Sequence, residues 1–404
     1  MRKGNNDKSG LGPIEFILLM AVLMSLTALS IDTMLPALPA IGHDLGVRQT
    51  NDVQLIISML ILGLSLGQLI FGPLSDRVGR RPALFGGTLI YLAGGALCLL
   101  SHNLAVMLAG RIIQGMGAAG PRTVVVALIR DRYKGRDMAK VMSSIMSIFL
   151  VVPALAPAIG QGIMLLAGWR AIFAMLLVLA AGFLVWFAWR QPETLLPERR
   201  LPLSANRIAQ AFLEVCRNRT TVGHTLIAGF VMGALFAYLN CSQQIFQDIY
   251  AVGYLFPLYF GILALSLGGA TFVNARMVMR LGTHKITRWA MTALAIMSLL
   301  YLAVIFTMGG VSPLWSFMTC MLVCFFSVGF LFGNLNAIAM KPMGHIAGSA
   351  SAVVGSLSSF IAVPVAVLIG RSYDGTIVPL FVGFAALSVL SLLIRWWVGC
   401  TGKA

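Results

Sequence analysis

The stretch GPLSDRVGRRP, residues 72–82, places one acid and three arginines between two long apolar runs. Gly72 and Gly79 permit tight backbone turns, and Pro82 suits the first turn of a following helix. The stretch therefore predicts a short charged turn between two helices. A solvated basic turn would explain the arginines but not Asp76. The role of the turn therefore has to be inferred from the sequence around it.

The composition on both sides of this turn is typical of a polytopic membrane protein. The 404 residues are 59% hydrophobic and only 10% charged, and the mean hydropathy is +0.90. A helical span needs about 20 mostly apolar residues, and twelve windows meet this requirement. The predicted fold class is therefore an all-α polytopic membrane protein. The windows are 14–39, 53–71, 83–100, 105–129, 141–166, 171–190, 222–247, 255–275, 287–308, 314–339, 347–370 and 377–398.

The distribution of basic residues predicts the orientation of these spans. The chain has 29 Lys and Arg, 13 Asp and Glu, and a formal net charge of +16, a balance that also occurs in nucleic-acid-binding proteins. Here, however, the predicted outer loops contain only Arg48, Arg170 and Arg371. By the positive-inside rule, both termini lie in the cytoplasm and the protein spans the cytoplasmic membrane, with no nucleic-acid partner.

The longest inner connection divides the chain into two similar parts. Residues 191–221 are rich in Pro and Arg and separate an N-terminal half, 1–190, from a C-terminal half, 222–404. The turn DRVGRRP has a counterpart in MRLGTHK, residues 279–285, where Arg280 and Gly282 align with Arg77 and Gly79. Two repeats around a central cavity are typical of a transporter.

Several motifs resemble those of one transporter family. GPLSDRVGRRP is similar to motif A of the major facilitator superfamily, and LAGRIIQGMGAAG (108–120) to motif B of its drug:proton antiporters. SIDTMLPALPAI in the first span and RDRY after the fourth resemble the Bcr/CflA branch, the bicyclomycin- and chloramphenicol-type exporters. The resemblance implies the major facilitator fold, twelve helices in two pseudo-symmetric six-helix halves, and proton-coupled multidrug efflux.

Motif A implies a conformational switch at the inner end of the helices. Its acid can pair with arginines or helix N-termini in one state and release them in another. Asp131 in RDRYKGRD either joins this cluster or belongs to a solvated loop. The switch residues are Gly72, Asp76, Arg77, Gly79, Arg80, Arg81 and Asp131.

PALAPAIGQG, residues 153–162, resembles the antiporter motif C imperfectly. Ala156 and Gln161 stand where that motif usually has glycine, whereas Pro153, Pro157 and Gly160 remain. The helix bend is therefore expected, but the tight packing of span five on its partner is not implied.

Asp32 and Arg111 are charged residues at membrane depth, where ionisable side chains indicate function. Asp32 lies about 16 Å before His43 along a helix, and Arg111 about 12 Å from the start of its span, so the two are at comparable depth. We hypothesise that Asp32 carries the coupling proton and that Arg111 tunes it. If span one ended early, Asp32 would instead be a solvated interfacial anchor.

Polar faces on other spans predict a substrate cavity. Arg122 either faces this cavity, where it would favour anionic or electronegative substrates, or anchors the helix at the inner interface. Glu15, at the inner edge of span one, is either a second proton site or an interfacial residue. The predicted cavity residues are Gln54, Ser58, Gln68, Gln114, Arg122, Tyr238, Asn240, Gln244, Asn334 and Asn336.

The expected partners are the lipid bilayer, protons and a small amphiphilic drug. We expect a monomer with no cofactor besides the coupling proton, no catalytic residues and no metal site. The sequence has no nucleotide-binding P-loop, which disfavours an ATP-driven pump. A proton-coupled uptake symporter for a small organic solute would use the same fold and the same Asp32, and a non-transporting sensor or scaffold is a third reading.

Overall fold

The computed structural model describes residues 11–200 and 205–399, and the regular structure within these ranges is helical. Asn103 and Asn218 cap two of the helices, because their side chains accept hydrogen bonds from the backbone N–H groups of Val106 and Thr221. In chain order the α-helices are α1 (Pro13–Asp32), α2 (Leu38–Asp44), α3 (Leu55–Val78), α4 (Arg80–Leu99), α5 (Leu104–Arg132), α6 (Gly135–Arg190), α7 (Ala205–Arg217), α8 (Arg219–Gln244), α9 (Phe256–Leu281), α10 (Thr283–Thr307), α11 (Leu314–Met340), α12 (Ala347–Arg371) and α13 (Val378–Gly399).

Ten segments of the described chain are long and apolar enough to cross a membrane, and two of them are long enough to cross twice. The 56 residues of α6 would span about 84 Å if straight, against a hydrocarbon core of about 30 Å. The left-handed backbone of Gly168 interrupts α6, and Val141 and Phe187 lie in one hydrophobic cluster, so the chain reverses there. The 3-10 turn Lys341–Ile346 separates α11 from α12 in the same way. These two reversals match the twelve predicted windows.

The helices pack in two groups. The first consists of α1 and α3 to α6, and the second of α8 to α13, with α7 against α8 and α12. Between the groups, α3 packs on α12 and α6 on α9. The hydroxyl of Ser356 in α12 donates to the carbonyl of Ser65 in α3 at 2.7 Å. We call the groups the first and second halves of the molecule.

The repeated turn seen in the sequence has the same backbone geometry in both halves. Gly79 joins α3 to α4 with φ 109° and ψ 163°, and Gly282 joins α9 to α10 with φ 77° and ψ 155°. L-residues rarely adopt these positive φ values, so glycine is required at both turns. We call the end of the molecule that carries Gly79 the basic end, and the end that carries Arg371 the opposite end.

Glycines let α3 and α5 approach until their backbones touch. A Cβ on Gly115 would lie 2.0 Å from the carbonyl oxygen of Leu60, and a Cβ on Gly63 would lie 2.0 Å from that of Ile112. Side-chain rotation cannot relieve these contacts, because the facing atoms are backbone. The pairing fixes α5, and therefore every functional side chain on α5, relative to α3.

Replacement of Gly115 by alanine is expected to destabilise the first half, because the two helices must separate to admit one methyl group. Overpacking of this kind costs roughly 1–3 kcal/mol. Thermal unfolding of the detergent-solubilised protein measures the change, and Gly86→Ala in α4 is the control, since a Cβ there meets nothing within 4 Å. Equal melting temperatures for the two variants would contradict the packing described.

Candidate functional site

A cavity of about 580 Å³ lies between the two halves and reaches the basic end. Helices α1, α3, α4, α5 and α6 form one wall, and α8, α11 and α12 form the other. Three of the residues predicted to line a substrate cavity lie here, namely Gln68, Arg122 and Asn336. The remaining wall combines the charged residues of the basic end and several serines of α12 with apolar side chains, among them Met24, Met146, Ala228, Met232, Phe332 and Leu335.

At the opposite end, polar contacts join the two halves. Arg371 of α12 pairs with Asp52 at 2.7 Å, and the side-chain amide of Asn51 donates to the carbonyl oxygen of Tyr373 at 2.9 Å. Closer to the centre, Asn240 donates to the Ser58 hydroxyl at 3.0 Å, and Gln54 donates to Gln244. The molecule is therefore sealed at the opposite end and accessible from the basic end.

Four predicted cavity residues belong to this seal rather than to the cavity in this conformation. Gln54, Ser58, Asn240 and Gln244 are buried and hydrogen-bonded across the halves. A polar helix face indicates side chains that do not contact lipid. The same face can line a hydrated path in one conformational state and form a closed interface in another. The sequence does not distinguish the two states.

Three further predicted cavity residues pack inside the helical bundle. Gln114 accepts a hydrogen bond from Arg111, and Asn334 exchanges hydrogen bonds with Asn274. Tyr238 is fully buried and stacks on Phe260. None of the three lines the described cavity in this conformation.

Asp32, the last residue of α1, is 5% exposed, which contradicts the alternative of a solvated anchor. Within residues 11–200 and 205–399 its carboxylate receives no hydrogen bond and forms no ion pair. The short 3-10 turn Leu35–Ala37 that follows Asp32 packs on α8 of the second half, and the hydroxyl of Tyr238 in α8 is also buried without a hydrogen bond. An unpaired carboxyl group thus lies where the two halves meet.

Arg111 does not pair with Asp32 in this structure, although their similar depth would have allowed a contact. Its guanidinium is fully buried and donates to the backbone carbonyls of Ser30 in α1 and Ile56 in α3, at 2.8 and 2.9 Å, and to the side chain of Gln114 at 2.8 Å. Arg111 therefore ties three helices together immediately before Asp32. The sequence could not predict these acceptors. Every residue carries a backbone carbonyl, so no residue type marks the ones that Arg111 contacts.

The motif A residues form a charge cluster within the first half. Arg80 is 8% exposed and donates to Asp76 at 2.5 Å, to Asp131 at 3.0 Å and to the hydroxyl of Ser75 at 2.9 Å. This geometry favours the clustered reading of Asp131 over a purely solvated loop. Gly72 lies inside α3 beside Ala352 of α12, so the predicted turn is confined to Gly79, and Arg77 is exposed to solvent.

Glu193 completes this cluster and was not predicted. Its two carboxylate oxygens accept hydrogen bonds from the backbone N–H groups of Arg80 and Arg81, both at 2.9 Å. These groups begin α4, so the carboxylate satisfies free donors and complements the helix dipole. A Cβ on Gly79 would lie 2.5 Å from Glu193, a second reason for glycine there. The only signal in the sequence was that Glu193 is one of 13 acidic residues, because its contact with the basic turn is visible only in the structure.

The imperfect motif C nevertheless packs tightly. A Cβ on Gly160 of α6 would lie 2.0 Å from the carbonyl oxygen of Thr33, the residue after Asp32. Pro153 and Pro157 lie in the same half of α6, and Ala156 is fully buried. The close approach to α1 is therefore retained, although Ala156 and Gln161 replace glycines.

Glu15 forms an ion pair with Arg190 at 2.7 Å, at the basic end of the first half. Trp186 also donates to Glu15, at 3.3 Å. Because this ion pair joins the ends of α1 and α6 outside the cavity lining, the interfacial reading of Glu15 fits the geometry better than a second proton site does.

Comparison with known proteins places this architecture in a family. Residues 20–367 match the family described as Major Facilitator Superfamily. The chain belongs to the major facilitator superfamily. It is 31% identical over 379 residues to the uncharacterized MFS-type transporter YdgK of Bacillus subtilis, covering 93% of each chain. It is also 29% identical to the bicyclomycin resistance protein homolog of Haemophilus influenzae, covering 95% of this chain and 96% of that relative.

The fold agrees with this family. The xylose transporter XylE from E. coli, in a partially occluded inward open conformation, superimposes with a TM-score of 0.72 at 14% identity, covering 94% of this chain and 97% of that one. The predicted major facilitator fold and the resemblance to the Bcr/CflA branch are confirmed. The protein is thus a multi-pass membrane transporter and not an enzyme.

Proposed function

We propose that the protein is a proton-coupled multidrug exporter of the bacterial cytoplasmic membrane that transports small amphiphilic drugs by alternating access. The observation that carries this proposal is the cavity between the halves, accessible from one end while cross-half contacts seal the other. The resistance protein among the relatives supports drugs as substrates. In this mechanism, residues 1–190 and 222–404 rock about the cavity, and residues 191–221 connect them.

The charge distribution indicates which side of the membrane the open end of the cavity faces. The positive-inside rule assigns the basic end to the cytoplasm. In the state described here, a drug therefore enters from the cytoplasm, and export requires breaking the Arg371–Asp52 and Asn51–Tyr373 contacts while closing the basic end around Arg80. The expected ligands are the drug and protons, with no bound cofactor.

Asp32 is the proposed proton carrier. Burying a carboxylate without a partner costs free energy, so proton uptake removes a charge that this site does not stabilise. The outward-facing state exposes Asp32 to the outside, where it takes up a proton, and the inward-facing state releases that proton to the cytoplasm as the drug enters. Each entering proton supplies about 2.3 kcal/mol per 100 mV of membrane potential and about 1.4 kcal/mol per pH unit.

Transport by everted membrane vesicles tests the direction of flux. Respiring everted vesicles have an acid lumen, so an exporter is expected to accumulate labelled chloramphenicol inside them, and a protonophore should abolish the accumulation. Accumulation only in right-side-out vesicles would identify an uptake symporter. The absence of flux in either orientation, with folded protein present, would support a sensor or scaffold.

A further inference from the structure

Arg122 is the one residue of the cavity's deeper part that carries a charge. It lies on α5, ten residues before Arg132 at the end of that helix, or about 15 Å from the basic end. It lines the cavity together with Gln68 of α3 and Asn336 of α11. The cavity-facing reading of Arg122 is therefore the one that the structure supports.

The guanidinium of Arg122 has no protein partner. Throughout the described ranges it forms no hydrogen bond and no ion pair, in contrast to Arg80 and Arg111, each of which makes three hydrogen bonds to protein acceptors. The two acids that line the same cavity, Asp76 and Asp131, both bind Arg80. The charge of Arg122 is thus left for whatever occupies the cavity.

The rest of the cavity fits a small amphiphile. Flexible methionines at positions 24, 146 and 232, together with Phe332, offer adaptable apolar surface. Gln68 and Asn336 offer amide donors near Arg122. Arg130, exposed at the mouth, adds positive potential that attracts anions toward the interior.

We propose that Arg122 binds an anionic group of the transported substrate, so that the protein exports amphiphilic organic anions such as aromatic sulfonates or carboxylates in preference to lipophilic cations. The inference rests on the proposed export function and specifies its substrate class. Arginine suits this role because its planar fork donates two parallel hydrogen bonds to a carboxylate or sulfonate. A lipophilic cation would meet the same unpaired positive charge.

The test uses purified protein in phosphatidylcholine liposomes with an acid lumen and three labelled probes. Naphthalene-2-sulfonate is the anion, trimethyl(naphthylmethyl)ammonium is the cation of similar ring size, and chloramphenicol is neutral. Wild-type protein is expected to accumulate the sulfonate but not the ammonium probe. Arg122→Gln should raise the KM for the sulfonate roughly 10- to 100-fold, the loss expected for a charge-assisted hydrogen-bonded pair, and leave chloramphenicol uptake intact.

Two further variants isolate the effect. Arg122→Lys keeps the charge without the fork, and it should raise the sulfonate KM less than Arg122→Gln does. Arg136→Gln removes one positive charge from the exposed start of α6 at the same end, and it should leave the KM for the sulfonate and for chloramphenicol unchanged. Retained chloramphenicol uptake shows that each variant is folded, and if Arg122→Gln does not fold, the Arg122→Lys result decides.

The outcomes separate this inference from the proposed function. Chloramphenicol uptake without sulfonate uptake, or an unchanged sulfonate KM in Arg122→Gln, would overturn the inference and leave drug export standing. Uptake of none of the probes would overturn both. The phosphatidylcholine headgroup has no net charge, so dependence on Arg122 there reports the substrate, whereas dependence confined to phosphatidylglycerol liposomes would assign Arg122 to a lipid and overturn the inference.

Discussion

Asp32→Asn is expected to abolish energised drug accumulation while leaving drug binding in place. Asparagine keeps the size and polarity of the side chain but does not titrate, so the proton that drives the return of the empty carrier is lost. With 100 mV and one pH unit, one proton supplies about 3.7 kcal/mol, enough for roughly a 500-fold gradient of a neutral drug. The variant should reach no gradient at all.

Two assays in everted vesicles distinguish lost coupling from lost folding. Energised uptake of chloramphenicol should fall to background in Asp32→Asn, whereas drug-drug counterflow, which needs no net proton movement, should continue. Asp137→Asn at the exposed start of α6 is the matched control and should accumulate drug normally. Energised accumulation by Asp32→Asn equal to that of the wild type would remove Asp32 from the proposed mechanism.

Arg111→Ala is expected to produce the largest loss of stability in the first half. It removes three hydrogen bonds from a fully buried site and leaves the carbonyl groups of Ser30 and Ile56 without their donor. Leaving a buried acceptor without its donor costs roughly 1–3 kcal/mol for each group. Arg111→Lys should not restore the stability, because a single ammonium group does not reproduce the fixed fork of donors.

Thermal unfolding in detergent, followed by size-exclusion chromatography, measures this effect. Both Arg111 variants should melt well below the wild type. Arg136→Gln, at an exposed position, is the control and should have the wild-type melting temperature. A melting temperature of Arg111→Lys equal to the wild-type value would show that the hydrogen bonds to α1 and α3 do not support the fold.

Much of the architecture follows from the sequence because membrane burial imposes simple patterns. The twelve apolar windows coincide with helical segments, and the repeated glycines at 79 and 282 adopt the same left-handed turn. A positive φ angle at these positions requires glycine, and glycine is visible in the sequence. The imperfect motif C was less informative, since the close contact of Gly160 with Thr33 survives two substitutions nearby.

The site was harder to predict because its decisive contacts are long-range. The similar depths of Asp32 and Arg111 allowed a pair, but depth alone does not determine rotation about the helix axis, and Arg111 donates to backbone carbonyls instead. For the same reason, the sequence left Arg122 undecided between the cavity and the interface. The roles of Gln54 and Asn240 depend on which conformational state is populated, a property that no single-sequence pattern encodes.

The measurement that tests the central claim most directly is proton release from wild-type everted vesicles with an acid lumen. A pH-sensitive dye reports the lumen while chloramphenicol is added to the medium. Drug export in exchange for protons predicts a drug-dependent rise in lumenal pH that saturates with drug concentration and disappears in Asp32→Asn. Drug accumulation without any change in lumenal pH would contradict proton-coupled antiport.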